Sequence, residues 1–352
     1  MPSQQHLTLD CVIFGLQRFG GISNYWARLL DQATVSPRLI THLVLPRQLS
    51  FQEFDPAWIR GSAPLRERLS TQVSRYMRAP VSDHGAVFHT SYYRLPRCRV
   101  ARYIVSAYDF TYERYRSGLA RYVHTAQKLA SLRRADAVLC ISQSTKRDVL
   151  EFCPRIDPAR LHVTHLGVDT QVFFPDAATI AGQEATVLFV GQRTGYKRFD
   201  LAADAVRQCP RLRLGVVGPA LSGAERDMLQ AKLGTRWHEF GPVGAAELRR
   251  LYASVFAFIF PSDYEGFGLP VLEAMACGCP VVAANASSLP EVGAGAALYA
   301  AEQRADAYAR LLDELGDSAT RAAQVRAGIV RAAAFSWSKT FDQTLSVYME
   351  AP

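Results

Sequence analysis

Short apolar, β-branched runs alternate along this chain with stretches whose apolar residues return every three or four positions. The runs predict strands at Leu9–Phe14, Ile40–Leu45, Ala86–His89, Tyr103–Val105, Ala137–Ile141 and the LHVT segment at 161–164. A second set follows at Val187–Val190, Leu212–Val217, Phe256–Phe260 and Pro280–Ala284. The periodic stretches predict amphipathic helices at Gly21–Gln32, Asp200–Gln208, Ala245–Ala253 and Gly268–Cys277. Strands alternating with helices imply parallel sheets covered on both faces, and two such sets imply two doubly wound α/β domains. The turn-rich segment LGVDTQVFFPD places the boundary near Leu166–Pro175. Domains are therefore expected at residues 1–167 and 168–334, with 335–352 a terminal helix packing back on the first. Residues 51–80 are rich in Arg and read as an insertion or helical excursion.

A length of 352 residues suits two cores of roughly 150 to 180 residues each. With 49% hydrophobic and 20% charged residues, the chain is globular and not disordered. No apolar run approaches the roughly 18 to 20 residues of a membrane span. The opening MPSQQHLTLD lacks a basic region followed by an apolar one, so no secretory signal is expected. Seven cysteines without framework spacing suit free thiols in a reducing compartment.

Charge changes the picture. Through Gly167 the chain holds 23 basic and 12 acidic residues, or +11; the remainder holds 17 and 20, or −3. A basic first half favours an anionic partner. Its arginines are scattered without interleaved aromatics, which argues against nucleic acid and leaves weak attachment to an anionic leaflet, or an ordinary solvated surface.

The most informative segment is PSDYEGFGLPVLEAMACGCP, residues 261–280, which reads as strand, glycine loop, helix, turn. A helix opening at Gly268–Pro270 aims unpaired backbone N–H groups and its positive dipole end at the loop, a ready anion site. Gly266 and Gly268 let backbone approach a ligand. Glu265 precedes the helix and Glu273 lies a turn inside it, roughly 10 Å apart along the axis. That separation suits two sets of sugar hydroxyls better than one shared metal; the bland alternative is a capped helix with a surface Glu. Upstream, VGQRTGYKRFD at 190–200 leaves a strand and opens a helix. Arg193 and Lys197 offer a planar fork and a point charge for phosphate oxygens, or else are solvated. Gly20-Gly21 follows the first strand and suits backbone approach to a ligand, a plain turn, or a helix capped by Ser23 or Asn24. Cys277 and Cys279 form a C-x-C pair with no further ligands in view, so no metal site is expected there. P-loop, G-x-S-x-G and H-E-x-x-H motifs are absent.

These segments resemble the retaining GT-B glycosyltransferases of family GT4, densest from Val187 to Glu291. Glu265, seven residues and Glu273 match that family's paired glutamates, within YEGFGLPVLEAMACGCPVVAANASSLPEV; the 190–200 segment is similar to its VG-x-R-x-x-x-K stretch. The resemblance implies two Rossmann-like domains facing across a cleft, with a nucleoside diphosphate sugar held by the second. Glu273 would hold the ribose and Glu265 the sugar. Arg193, Lys197, Gly20, Gly21 and the N–H groups of Gly266, Phe267, Gly268 and Leu269 would meet sugar hydroxyls and phosphates. The base would lie at Val243 in Pro242-Val243-Gly244. No metal or other cofactor is expected, because these groups neutralise the diphosphate. The acceptor, a glycan or lipid-linked oligosaccharide, would meet the first domain. Many relatives carry a His in the stretch that here reads SAYDFTYE; Tyr108 stands in its place, a poor base at neutral pH. Asp109 and His89 are the other acceptor-side candidates, His89 being equally readable as a satisfied strand-end residue. The wording GQRTGYKRFD and YDFTYERY is most like bacterial mannosyl- or deoxymannosyl-type transferases, implying GDP-mannose or GDP-rhamnose, surface polysaccharide assembly, and a cytoplasmic or peripheral inner-membrane location. Two other functions fit the residues: a glycoside hydrolase or phosphorylase using Glu265 and Glu273 as an acid/base pair, and a non-catalytic sugar-binding module.

Overall fold

The computed structural model describes residues 4–18, 20–60, 64–81, 86–175 and 184–350. Two compact units are present: Met1–Leu166 with Trp337–Pro352, and Gly167–Ser336.

The first unit is a seven-stranded parallel sheet in the order β3-β2-β1-β4-β5-β6-β7. Its strands are β1 (Gln5–Asp10), β2 (Leu39–Leu45), β3 (Leu65–Arg66), β4 (Val87–Thr90), β5 (Arg102–Ala107), β6 (Ala137–Cys140) and β7 (Leu161–Val163). In register, Asp10 faces Val44 on one side and Thr90 on the other. β4, β5 and β6 are buried along their whole lengths, as a sheet covered on both faces requires. Helix Trp337–Met349 joins this unit. Thr340 Oγ1 donates to His165 O at 2.7 Å, and Arg102 Nη1 to Val347 O at 2.7 Å.

The second unit is a six-stranded parallel sheet in the order β10-β9-β8-β11-β12-β13. The strands are β8 (Glu184–Val190), β9 (Arg213–Val217), β10 (Trp237–Gly241), β11 (Val255–Phe260), β12 (Val281–Ala284) and β13 (Leu298–Ala300). Val187, Phe189, Val216, Ala257 and Ile259 project into a core closed by helices Phe199–Gln208 and Ala305–Glu314. Both units are therefore doubly wound α/β sheets, as the alternation of runs implied.

Two expectations need correction. The first strand is Gln5–Asp10, not Leu9–Phe14. Beyond Cys11 the apolar residues Val12–Phe14 are buried in a 3₁₀ turn, pinned where Ile13 N donates to Ser91 Oγ at 3.1 Å. The described residues of 51–80 hold no long helix. They form the short turns Pro56–Ile59 and Thr71–Ser74 and the edge strand β3, which pairs with Val44 and Leu45. Helix Leu119–Arg134 escapes the periodicity argument because its buried face carries His124, Lys128 and Ser131. Strands β10 and β13, also unforeseen, lie at the two sheet edges, where half-burial weakens the apolar signal.

Candidate functional site

In the second sheet the chain runs outward through β8, β9 and β10, then crosses back to β11 on the other side of β8. In such a sheet the loops leaving adjacent strands diverge at this reversal and open a crevice at the carboxyl edge. The two most informative motifs follow β8 and β11. Asp263 N donates to Tyr196 O at 2.8 Å, stitching the loops together. Lys197 Nζ forms a short ion pair with Glu265 Oε1, both side chains largely buried. The Lys197 ammonium also lies 5.3 Å from the Phe260 ring centroid. Arg198, in the left-handed region at φ 50°, reaches Asp263 at 3.5 Å. Gln303 Nε2 donates to the same carboxylate at 2.8 Å.

The glycine loop after β11 is held from behind. Ser287 Oγ accepts from Glu265 N at 2.8 Å, while the Ser288 hydroxyl donates toward Glu265 O at 2.9 Å and Phe267 O at 2.7 Å. Ser288 precedes helix Leu289–Gly293 but makes no side-chain cap there, so its hydroxyl serves the loop instead. The sequence reading missed both serines. Their only local signal, hydroxyls before a helix with Pro near its start, reads as capping. Gly268 has φ 107°, and a Cβ there would stand 2.8 Å from Leu289 Cδ2. Conformation and packing both demand glycine. Helix Leu269–Ala276 then begins with its first N–H groups at the carboxyl edge. Glu273 lies a turn into it, half-buried, and no hydrogen bond from a described residue reaches its carboxylate. Burial pushes this carboxyl up to about 7.

Arg193 is more committed than expected. Its Nε donates to Glu225 Oε1 at 2.6 Å, and Nη2 to Pro219 O at 2.8 Å and Ala220 O at 2.9 Å. Glu225 is itself the reciprocal partner of Ser222 in a capping box. Burial would raise its carboxyl, but hydrogen bonds from Arg193 and Ser222 outweigh this and hold it below the ordinary value. Only Nη1 of Arg193 is left over, buried and without a partner among the described residues. It lies beside the left-handed Gly218, where a Cβ would stand 2.4 Å from Gly191 O. Val243 sits after β10 at the same carboxyl edge, half-buried between Gly241 and helix Ala245–Ser254. Thus Lys197, Glu265 and the 266–269 loop are brought together, and Arg193, Val243 and Glu273 hold to the loops and helix of the same edge.

In the first unit, Gly20 and Gly21 open helix Gly21–Ala33 after β1. Gly20 is extended, and a Cβ on Gly21 would meet nothing. Ser23 is buried and donates to Gln17 Oε1 at 3.0 Å, so no side chain caps this helix. Phe19 of the same motif lies outside the described residues. Two acceptor-side candidates turn into the core, His89 taking its alternative reading as a satisfied strand-end residue. His89 is fully buried, with Nδ1 2.6 Å from Tyr348 Oη and Nε2 2.9 Å from Ser106 Oγ. Burial pushes it down to about 3, so it stays neutral inside the core. Tyr108 is buried too: its hydroxyl accepts from Trp26 Nε1 at 2.6 Å and donates to Ser91 O at 3.2 Å. Neither side chain is open to a ligand. Asp109 is half-buried; its Oδ1 accepts from Thr111 N at 2.9 Å and no described residue donates to its other oxygen. Ser142 caps helix Gln143–Phe152, accepting from Thr145 N at 2.9 Å. All seven cysteines are free, six of them buried, Cys277 and Cys279 included.

Two Rossmann-like parallel sheets in one chain define the GT-B class. Sucrose-phosphate synthase from Thermosynechococcus elongatus shares the fold, with a TM-score of 0.76 over 98% of both chains at 20% identity. Residues 172–329 match the family model "Glycosyl transferases group 1", and residues 66–172 match "Glycosyltransferase Family 4". The greater part of the second unit is thus similar to the group 1 glycosyltransferases, and part of the first to family 4. It is 37% identical over 144 residues to the O-antigen chain mannosyltransferase B of Escherichia coli, covering 39% of this chain and 38% of that protein. It is also 32% identical over 245 residues to the alpha-maltose-1-phosphate synthase of Mycolicibacterium smegmatis, covering 61% and 63%. The matched segments thus span less than two thirds of either relative.

Proposed function

We propose that the chain transfers a sugar, with retention of configuration, from a nucleoside diphosphate donor to a hydroxyl of a glycan or lipid-linked acceptor. The observation that carries this reading is the Lys197–Glu265 ion pair where the second sheet reverses, beside the opening of helix Leu269–Ala276. An ion pair at a helix N-terminus is a placeholder for an anion: a diphosphate takes the ammonium from Glu265, and the freed carboxylate turns to the sugar. The orphan Nη1 of Arg193 and the amides of residues 266–269 complete the neutralisation. Glu273 accepts the ribose hydroxyls, and the base lies along Val243. In the transfer step the acceptor oxygen bonds the anomeric carbon from the face the diphosphate leaves. The bond to the leaving phosphate breaks, and a phosphate oxygen takes the hydroxyl proton. No protein nucleophile and no metal are required, since charge on the leaving group is met by fixed donors.

With His89 and Tyr108 confined to the core, Asp109 is the remaining acceptor-side residue, orienting the hydroxyl through its unengaged oxygen. The identity to a mannosyltransferase supports GDP-mannose or GDP-D-rhamnose as donor and surface polysaccharide as product. The basic first half supports weak attachment to the cytoplasmic face of an anionic inner membrane; among the described residues no helix is long and apolar enough to cross one. Incubation with GDP-mannose and GDP-D-rhamnose in EDTA, with product anomers read by NMR, tests the reaction. Release of GDP with an axial-to-axial outcome is expected. Turnover abolished by EDTA, or inverted product, would contradict it.

A further inference from the structure

The first unit carries a cavity of about 560 Å³ at the amino edge of its sheet, a volume typical of small-molecule sites. Its wall at residues 95–101 runs into β5, and Asp136 stands just before β6. Asp109 follows β5 at the opposite edge, roughly 20 Å of strand away. Reacting ligands of doubly wound sheets gather at the carboxyl edge, so a cavity at the amino edge serves another ligand. Its wall is fixed from behind. Ala79 and Pro96 form a short parallel bridge, in which Ala79 N donates to Leu95 O at 2.8 Å and Arg97 N to Ala79 O at 2.9 Å. Arg78 and Arg97 leave the backbone at this bridge, and Arg99 and Arg134 bring the arginines of the cavity to four.

Charge selects the ligand. No carboxylate of a described residue pairs with Arg78, Arg97 or Arg134. By contrast, the neighbouring Arg94 and Arg102 are matched by Asp10 and Glu350. The helix dipole accounts for Arg134, the last residue of helix Leu119–Arg134, but not for the other three. Like charges around one hollow repel each other, and a bound anion relieves them; the planar fork of arginine suits phosphate oxygens. The one acid, Asp136, is clamped: Tyr103 N donates to its Oδ2 at 2.7 Å, and its own N donates to Tyr103 O at 2.8 Å. No described residue donates to its Oδ1, which is left to accept from a ligand hydroxyl. Leu95, Pro96 and Val100 add half-buried apolar wall. We propose that the cavity binds a soluble sugar phosphate, its phosphate held by the arginines, a hydroxyl by Asp136 and the apolar face of its ring by Pro96 and Val100. Inorganic phosphate alone would meet Asp136 only as a repelling charge. A ligand here is neither donor nor acceptor of the proposed transfer, and the site is independent of that chemistry.

Titration calorimetry of glucose 6-phosphate into the full chain tests this, with glucose and inorganic phosphate as controls. The ester is expected to bind roughly tenfold more tightly than inorganic phosphate, and glucose not at all. Arg97→Gln and Arg134→Gln are each expected to weaken binding about fivefold or more. Arg310→Gln, at an exposed position of the other unit, should bind normally, and so should Lys197→Ala. Thermal unfolding like that of the unaltered protein certifies each variant as folded. No binding of the ester, equal affinity for inorganic phosphate, or unchanged affinity in both cavity variants would overturn the proposal. So would loss of binding in Lys197→Ala, which would assign the ester to the second sheet. Absence of turnover leaves this result untouched, and absence of this binding leaves the transfer reading standing.

Discussion

Glu273, the proposed ribose ligand, sits where burial of its carboxyl works against stability. Its carboxyl is raised from 4.5 to about 7 by burial, with no donor to hold the charged form. The folded state therefore binds more protons than the unfolded one between those values. The stabilising contribution is complete below about 4.5 and is lost as pH rises through 7, a difference of about 1–3 kcal/mol. Glu273→Gln is expected to raise stability toward urea at pH 8, with little change at pH 4. The same substitution should weaken nucleoside diphosphate binding, because an amide is a poorer acceptor for paired hydroxyls. Affinity of the unaltered protein should rise with pH and level off above about 7, which titration calorimetry across that range measures. Residue identities alone could flag Glu265, Lys197 and Glu273, since their chemistry and spacing are written in the chain. They could not show that Arg193 spends most of its donors on Glu225 and two carbonyls. Nor could they show that His89 and Tyr108 turn into the core, because those partners lie up to 259 positions away in sequence.

At the scale of elements, the proposed site rests on loops that follow buried strands and are braced by other loops. Ser288, after β12, holds two carbonyls of the glycine loop after β11. Ser288→Ala removes a buried donor from both and is expected to cost about 1–3 kcal/mol of stability. It should also raise the KM for the donor, with a smaller effect on kcat, which steady-state kinetics separates. Strands buried on both sides announce themselves as apolar runs, so β4, β5, β6, β8 and β11 were legible. Edge strands β3, β10 and β13 were not, because half-exposed positions carry mixed residues. Helix Leu119–Arg134 was hidden for the opposite reason: its apolar stripe faces solvent.

For the molecule as a whole, the chain leaves its first unit at Leu166 and returns at Trp337, so that unit is completed by its last residues. Tyr348 lies fully buried with its hydroxyl against His89. Tyr348→Phe strands that ring nitrogen and is expected to lower the stability of the first unit by about 1–3 kcal/mol. Calorimetry should show this as a shift of one transition, with the stabilisation of the second unit by whichever nucleoside diphosphate it binds unchanged. The central claim, that the carboxyl edge of the second sheet binds a pyrophosphate, is tested most directly by titrating GDP, UDP, ADP and dTDP into the unaltered protein and Lys197→Ala. One diphosphate is expected to bind in preference, and Lys197→Ala to weaken it roughly tenfold or more. No binding by any of the four, or equal affinity in the variant, would contradict the account.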